Sequence, residues 1–208
     1  MAASTNGKVN FVEYGFAAAS VDGQRESGDT YVVQYCEDSA LIAAIDGIGH
    51  GDSAAVAAQA AVDVIRSHCA ESLETVAQIC HDHLRSTRGA VMSLASIDPR
   101  DGQMRWLGVG NVQGVVQRAG SPRGIAQEVL LLRAGVVGAH LPVLQSASVT
   151  LNAGDTVVFA TDGIQTEFVR DLSSVETPQR CADRILKQHF RGNDDALVLV
   201  VRFLGTTA

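Results

Sequence analysis

Ala40-Leu41-Ile42-Ala43-Ala44-Ile45-Asp46-Gly47-Ile48-Gly49-His50-Gly51 is the stretch on which the reading of this chain turns. Its apolar half predicts a buried strand over 40–45, bounded by a glycine-rich turn. An aspartate stands at the rim of that strand. The pattern recurs where Thr156-Val157-Val158-Phe159-Ala160-Thr161 runs into Asp162-Gly163, and where Asp194-Asp195 stands just before Ala196-Leu197-Val198-Leu199-Val200-Val201. A carboxylate at such a rim is costly to desolvate unless something compensates its charge. Three rims far apart in sequence therefore predict carboxylates converging on cations, and hard ions such as Mg²⁺ or Mn²⁺ prefer oxygen-only ligation.

Asp-Gly is also the commonest turn dipeptide, so each pair has a plain reading as turn chemistry. Asp101-Gly102, within Asp98-Pro99-Arg100-Asp101-Gly102-Gln103, serves as the control, because it lies between two strand-like runs like an ordinary hairpin loop. Asp46 and Asp162 differ in that a helix-like segment is expected after each. Asp22, Asp38 and Asp155 read as turn residues, and Asp195 as a polar residue starting the last strand.

At 208 residues the chain is expected to form one domain over 1–208, with a substantial core. Its 46% hydrophobic and 19% charged residues exclude a disordered chain. A net charge of −7 argues against nucleic acid, which needs a basic footprint. No apolar run is long enough to span a bilayer, and Met1-Ala2-Ala3-Ser4-Thr5-Asn6-Gly7-Lys8 lacks an apolar signal region. A soluble, cytoplasmic protein without membrane partners is expected. Cys36, Cys69, Cys80 and Cys181 form no CxxC pair and read as buried free thiols.

Strands are expected at 9–20, 30–37 and 40–45, then a helix over 53–68 capped by Asp52 or Ser53, with Val56, Ala60 and Val64 on one face. A second helix is expected over 72–86. Strands follow near 89–97, 103–109, 112–118, 128–132, 147–151 and 155–160, then a helix over 178–190 and a strand over 196–203. The glycines and prolines of 119–146 predict irregular loops. This order lacks strict β-α alternation and points instead to an α+β sandwich of mainly antiparallel sheets flanked by helices.

The segments Asp46-Gly47-Ile48-Gly49-His50-Gly51, Thr161-Asp162-Gly163 and Asn193-Asp194-Asp195-Ala196-Leu197 resemble, in order, the signature segments of the type-2C, metal-dependent protein phosphatases (PPM family). Ser27-Gly28-Asp29-Thr30-Tyr31 resembles the first acidic segment in its SpoIIE-like branch. Arg88-Gly89-Ala90 and Gly108-Val109-Gly110-Asn111 are similar to stressosome phosphatases of that branch. The resemblance covers about 27–203 and implies an αββα sandwich. It also implies a phosphoserine/phosphothreonine phosphatase with two divalent ions, Mn²⁺ or Mg²⁺. Asp46 would bridge both ions, the Gly47 carbonyl would bind one, Asp162 and Asp194 would complete a ligand set, and Asp29 would hold an ion directly or through water. Arg25, four positions before Asp29, takes the place of the family's phosphate-binding arginine or is a solvated loop residue. Many members place a histidine directly after the first Asp-Gly; here that position is Ile48, and His50 is either a proton donor or a turn-shaping residue.

Such an acidic set fits phosphomonoester hydrolysis, which is extremely slow in water. Two ions roughly 3.5–4 Å apart can hold a bridging hydroxide and neutralise phosphoryl charge. No cysteine is followed by a glycine-rich turn and arginine, so a phosphocysteine route has no candidate nucleophile. Gly47-x-Gly49-x-Gly51 lacks dinucleotide spacing, and no GK[ST] follows it. His81 and His83 would point to nearly opposite faces of a helix, which argues against zinc. The resemblance implies phosphorylated STAS-domain stressosome proteins (RsbS/RsbR-like) as substrates, and a monomeric enzyme is expected. The alternatives are a SpoIIE- or RsbU-like phosphatase of a free anti-sigma-factor antagonist, or a catalytically silent binding module that would be expected to have lost Asp46 or Asp162.

Overall fold

The computed structural model describes residues 11–21, 27–121, 127–173 and 175–205. Strands β1 (Val12–Ala19), β2 (Asp29–Cys36) and β3 (Ser39–Gly47) lead into helices α1 (Asp52–Ser67) and α2 (Leu73–Leu84). Then come β4 (Ala90–Ile97), β5 (Gln103–Val109), β6 (Gln113–Gln117), β7 (Gln127–Val129), β8 (Leu132–Arg133), β9 (Ala147–Thr150) and β10 (Thr156–Ala160). A 3₁₀ helix (Thr166–Asp171), α3 (Pro178–His189) and β11 (Ala196–Phe203) complete the chain.

The strands form two sheets, in the orders β1-β11-β10-β6-β7 and β2-β3-β4-β5-β8, with β9 also paired to β5. All pairings are antiparallel except the short β5–β8 contact. Side chains alternate along each strand, and the alternation assigns the layers. Ile42, Trp106, Phe159 and Leu199 meet between the sheets. Leu41, Ile45, Ile65 and Leu84 pack the second sheet against α1 and α2. Val198, Val200, Phe168 and Ile185 pack the first sheet against α3 and the 3₁₀ helix. The architecture is the expected αββα sandwich. Each such fully buried aliphatic or aromatic side chain contributes about 1.5–3 kcal/mol of burial.

Local signals explain several element ends. Ser72 and Thr177 cap α2 and α3 by accepting from Thr75 N and Arg180 N, and Pro178 opens α3 where its missing N–H costs nothing. Helix α1 departs from expectation. Its N-cap is Gly51, at φ 71 and ψ −161, a conformation that side chains oppose, and neither Asp52 nor Ser53 caps it. Its buried face runs through Ala54, Ala57, Ala58 and Ala61, while Val56 is exposed, so the face is rotated from the Val56–Ala60–Val64 line. The small alanines let the helix press onto β3.

Three further differences concern long-range contacts. Cys36 and Cys69 are joined as a disulfide between the end of β2 and the end of α1, which corrects the free-thiol reading; Cys80 and Cys181 are free and buried. The strand expected at 128–132 is divided. β7 pairs with β6 in one sheet and β8 with β5 in the other, so the chain crosses between sheets at Leu130-Leu131. The 3₁₀ helix had no amphipathic repeat to announce it, because among its residues only Phe168 is buried. No described helix is long and apolar enough to cross a membrane.

Candidate active site

The two-residue period that builds the core also aims the acidic residues. Ala40, Ile42 and Ala44 of β3 face the opposite sheet, and Asp46 continues that series. On β2, Tyr31, Val33 and Tyr35 face the same interior, and Asp29 precedes them in phase. Asp29 and Asp46 are direct partners in the β2–β3 register. Two like charges opposite one another on one face are destabilising unless neutralised. Asp162 follows β10 and Asp194 lies just before β11, the strand paired with β10. Asp46, Asp162 and Asp194 line one cleft of about 490 Å³ at this end of the sandwich, together with Gly49, His50 and Asn111.

Neighbouring polar groups hold the carboxylates in place. The Thr161 hydroxyl donates to Asp29 Oδ2 at 2.6 Å, and Leu197 N–H donates to the same hydroxyl oxygen at 2.8 Å. Asn111 Nδ2 donates to Asp162 Oδ2 at 2.7 Å. Ser93 Oγ steadies the Asn111 turn by donating to the Val112 carbonyl at 2.6 Å. Asn111 stands in the Gly108-Val109-Gly110-Asn111 segment, but its role is not visible along the chain, since its partner is 51 positions away.

The glycines separate site from turn. Gly102, in the control pair, has φ +69, and Asp101 Oδ1 accepts from Gln103 N at 2.9 Å, which is hairpin chemistry. Gly47 and Gly163 are not among the positive-φ glycines. They are small for another reason: a Cβ at Gly47 would lie 2.1 Å from Ala54 O, and one at Gly163 would lie 2.0 Å from Asp195 O. Each lets a second backbone approach the strand end, as a built site requires.

Asp195 has the structural role expected of it, with more to do than start a strand. It is buried, and its carboxylate accepts from Gly28 N at 2.7 Å and Val21 N at 3.0 Å, tying β11 to the backbone beside Asp29. Asp155 is likewise structural, accepting from Ala119 N, Asn152 N and Arg118. His81 is buried and accepts from Gly138 N, whereas His83 is exposed, as the helix geometry required. Arg25 and Asp22 lie outside the described residues.

Burial, followed by the charges of Asp29, Asp162, Asp194 and Asp195, pushes the Asp46 carboxyl up to about 8. Burial pushes Asp29 up to about 7, with the Thr161 hydrogen bond opposing and Asp195, Asp162 and Asp194 adding. Asp162 is raised by burial and by Asp194, against the pull of Asn111 and Arg191. Among the described residues no three carboxylate, imidazole or thiolate groups already close into a cage. The oxygen-only set is gathered on one cleft and repels itself, which is the donor chemistry that suits a hard divalent cation.

These shifts carry a pH signature. Both acids lie above their ordinary value of 3.8, so between about pH 4 and pH 8 the folded chain holds protons that the unfolded chain has released. Their contribution to stability is therefore full below about pH 4 and is lost as pH rises through about 7 and about 8. Chelator-treated protein is expected to show a falling contribution across that window, read as the melting-temperature difference from Asp46→Asn at each pH. A difference independent of pH would contradict the repulsion described here.

Comparison with known proteins supplies independent findings. The family described as Stage II sporulation protein E (SpoIIE) matches residues 37–204. The phosphoserine phosphatase RsbX of Bacillus subtilis (strain 168) is 24% identical over 149 residues, spanning 72% of this chain and 73% of RsbX. A chain from a structure of the bacterial stressosome, described as a modular system adapted to control secondary messenger signalling, superposes with a TM-score of 0.82 at 30% identity. That match covers 92% of this chain and 99% of the other. A crystal structure of RsbX in complex with magnesium also superposes with a TM-score of 0.82, at 18% identity, covering 95% and 98% of the two chains.

Proposed function

The chain belongs to the SpoIIE family, and from that premise we propose that residues 1–208 form one catalytic domain of a divalent-metal-dependent phosphatase. It is a serine/threonine protein phosphatase of the PP2C type, similar to RsbX. One observation carries the reading of the site: Asp46, Asp162 and Asp194, from three separate strand ends, line a single cleft, with Asp29 in register opposite Asp46.

In this reading Asp46, the Gly47 carbonyl, Asp162 and Asp194 would hold divalent ions, Mn²⁺ or Mg²⁺, with Asp46 serving both and Asp29 reaching one directly or through water. The magnesium of the RsbX structure supports the use of a divalent ion. Two such ions, when bound, would supply an activated water and neutralise phosphoryl charge. The protein's own contribution is orientation. Asn111 holds Asp162 in one rotamer, the Thr161 hydroxyl does the same for Asp29, and Asp195 fixes the strand ends that carry them. Outer partners of this kind typically change metal affinity or activity 10–100-fold when lost. His50 lines the cleft with its side chain exposed, a position compatible with both of its readings, proton donor to a leaving oxygen and turn-shaping residue.

The substrates proposed are phosphorylated STAS-domain proteins of a stressosome, a reading supported by the likeness to a stressosome chain and to RsbX. Phosphate release from a phosphoserine- or phosphothreonine-bearing STAS protein in the presence of Mn²⁺ is the test. Rates above those on an unrelated phosphoprotein are expected. Equal rates on both would remove the STAS assignment while leaving the phosphatase in place.

A further inference from the structure

The carboxylates that line the cleft are those of Asp46, Asp162 and Asp194, yet a phosphomonoester arrives as a dianion. A guanidinium is the side chain best matched to phosphoryl oxygens, because its planar fork donates two parallel hydrogen bonds and stays charged. Two described arginines approach the cleft. Arg191 is engaged with the Asp162 loop: its backbone N–H donates to Gly163 O at 2.9 Å, its Nε to Ile164 O at 3.4 Å, and its charge acts on Asp162.

Arg88 is different. Its backbone is held on both sides. Gly89 N donates to Thr87 Oγ1 at 3.0 Å, Ile48 N donates to Gly89 O at 3.0 Å, and Ala90 N donates to Val137 O at 2.9 Å. The Ile48 bond fastens this segment to the end of β3, which carries Asp46 and Gly47. The side chain is exposed, and among the described residues no hydrogen bond or ion pair occupies it. Its Nη1 lies against Gly49, so close that a Cβ at Gly49 would sit 2.6 Å away, and Gly49 lines the cleft. A fixed backbone and a guanidinium at the rim of the cleft are what an anion-binding arm requires.

We propose that Arg88 binds the phosphoryl oxygens of the substrate, the role for which sequence reading had offered Arg25. The inference rests on the phosphatase reading above and names the residue that receives the phosphoryl group.

The test is steady-state hydrolysis of p-nitrophenyl phosphate in saturating Mn²⁺, with inorganic phosphate as competitive inhibitor, for the parent, Arg88→Ala, Arg88→Lys and Arg25→Ala. For Arg88→Ala, KM and the phosphate inhibition constant are expected to rise together by about tenfold or more, the scale of losing charge-assisted hydrogen bonds. Arg88→Lys should recover part of that loss, because it restores the charge without the fork. The Mn²⁺ concentration for half-maximal rate should stay within about twofold of the parent's, since Arg88 is no ligand. An active parent whose KM and phosphate inhibition are unchanged in Arg88→Ala overturns the assignment alone, as does a loss confined to Arg25→Ala. A parent with no Mn²⁺-dependent turnover overturns the phosphatase reading and this assignment together.

Discussion

Asp46→Asn is expected to lower metal-dependent turnover by roughly a thousandfold or more, equivalent to losing about 4 kcal/mol of transition-state stabilisation. The proposed role explains the size, because one substitution removes a charge that both ions share. The same variant should make the metal-free protein more stable. Asp46 faces Asp29 across β2 and β3, and its raised proton affinity traces to burial and to four neighbouring carboxylates, with no hydrogen bond offsetting them. Relief of that repulsion should raise the melting temperature of chelator-treated protein by roughly 2–4 °C per kcal/mol relieved. Turnover within tenfold of the parent would refute the metal-bridging assignment, and a lower metal-free melting temperature would refute the repulsion.

The second large effect separates metal chemistry from turn chemistry. Asp162→Ala should raise the Mn²⁺ concentration for half-maximal rate by roughly tenfold to a hundredfold and lower the rate at fixed Mn²⁺, with partial rescue by excess metal. Asp101→Ala should leave both quantities nearly unchanged. Each residue precedes a glycine, but their neighbours differ. Asp101 accepts from Gln103 N within its own hairpin, so its loss should cost about 1 kcal/mol of stability or less. Asp162 is gripped by Asn111 from a different loop and lies beside Asp194 in the cleft. Initial rates against Mn²⁺ concentration, with melting curves as a folding control, decide the matter. Equal losses in the two variants would mean that a turn residue has been taken for a ligand.

Much of this site could be read along the chain because strand geometry is periodic. Once 40–45 is a buried strand, alternation alone puts Asp46 in phase with Ile42 and Ala44, and those residues meet the opposite sheet. The same argument applies to Asp29 ahead of Tyr31. What alternation cannot supply is which distant backbone arrives beside a given residue. Gly47 and Gly163 looked like turn glycines until Ala54 O and Asp195 O were found against them. On α1 the alanines face β3, as close approach of a helix favours, and of the Val56–Ala60–Val64 line Val64 is buried while Val56 is exposed. The Cys36–Cys69 pairing, the division of 127–133 between two sheets, and the Asn111–Asp162 bond depend on contacts between segments that no local pattern encodes. Arg88 stands in a family-like segment, but its nearness to Gly49 arises only when β4 pairs with β3.

The central claim is that carboxylates from separate strand ends make a site whose chemistry depends on divalent metal. Its most direct test is the initial rate of aryl phosphate hydrolysis by the full chain, first stripped with chelator and then titrated with Mn²⁺. The account predicts negligible turnover in the stripped protein, a saturable return of activity with added Mn²⁺, and no such return in Asp46→Asn. Full activity in protein verified to be metal-free would contradict it.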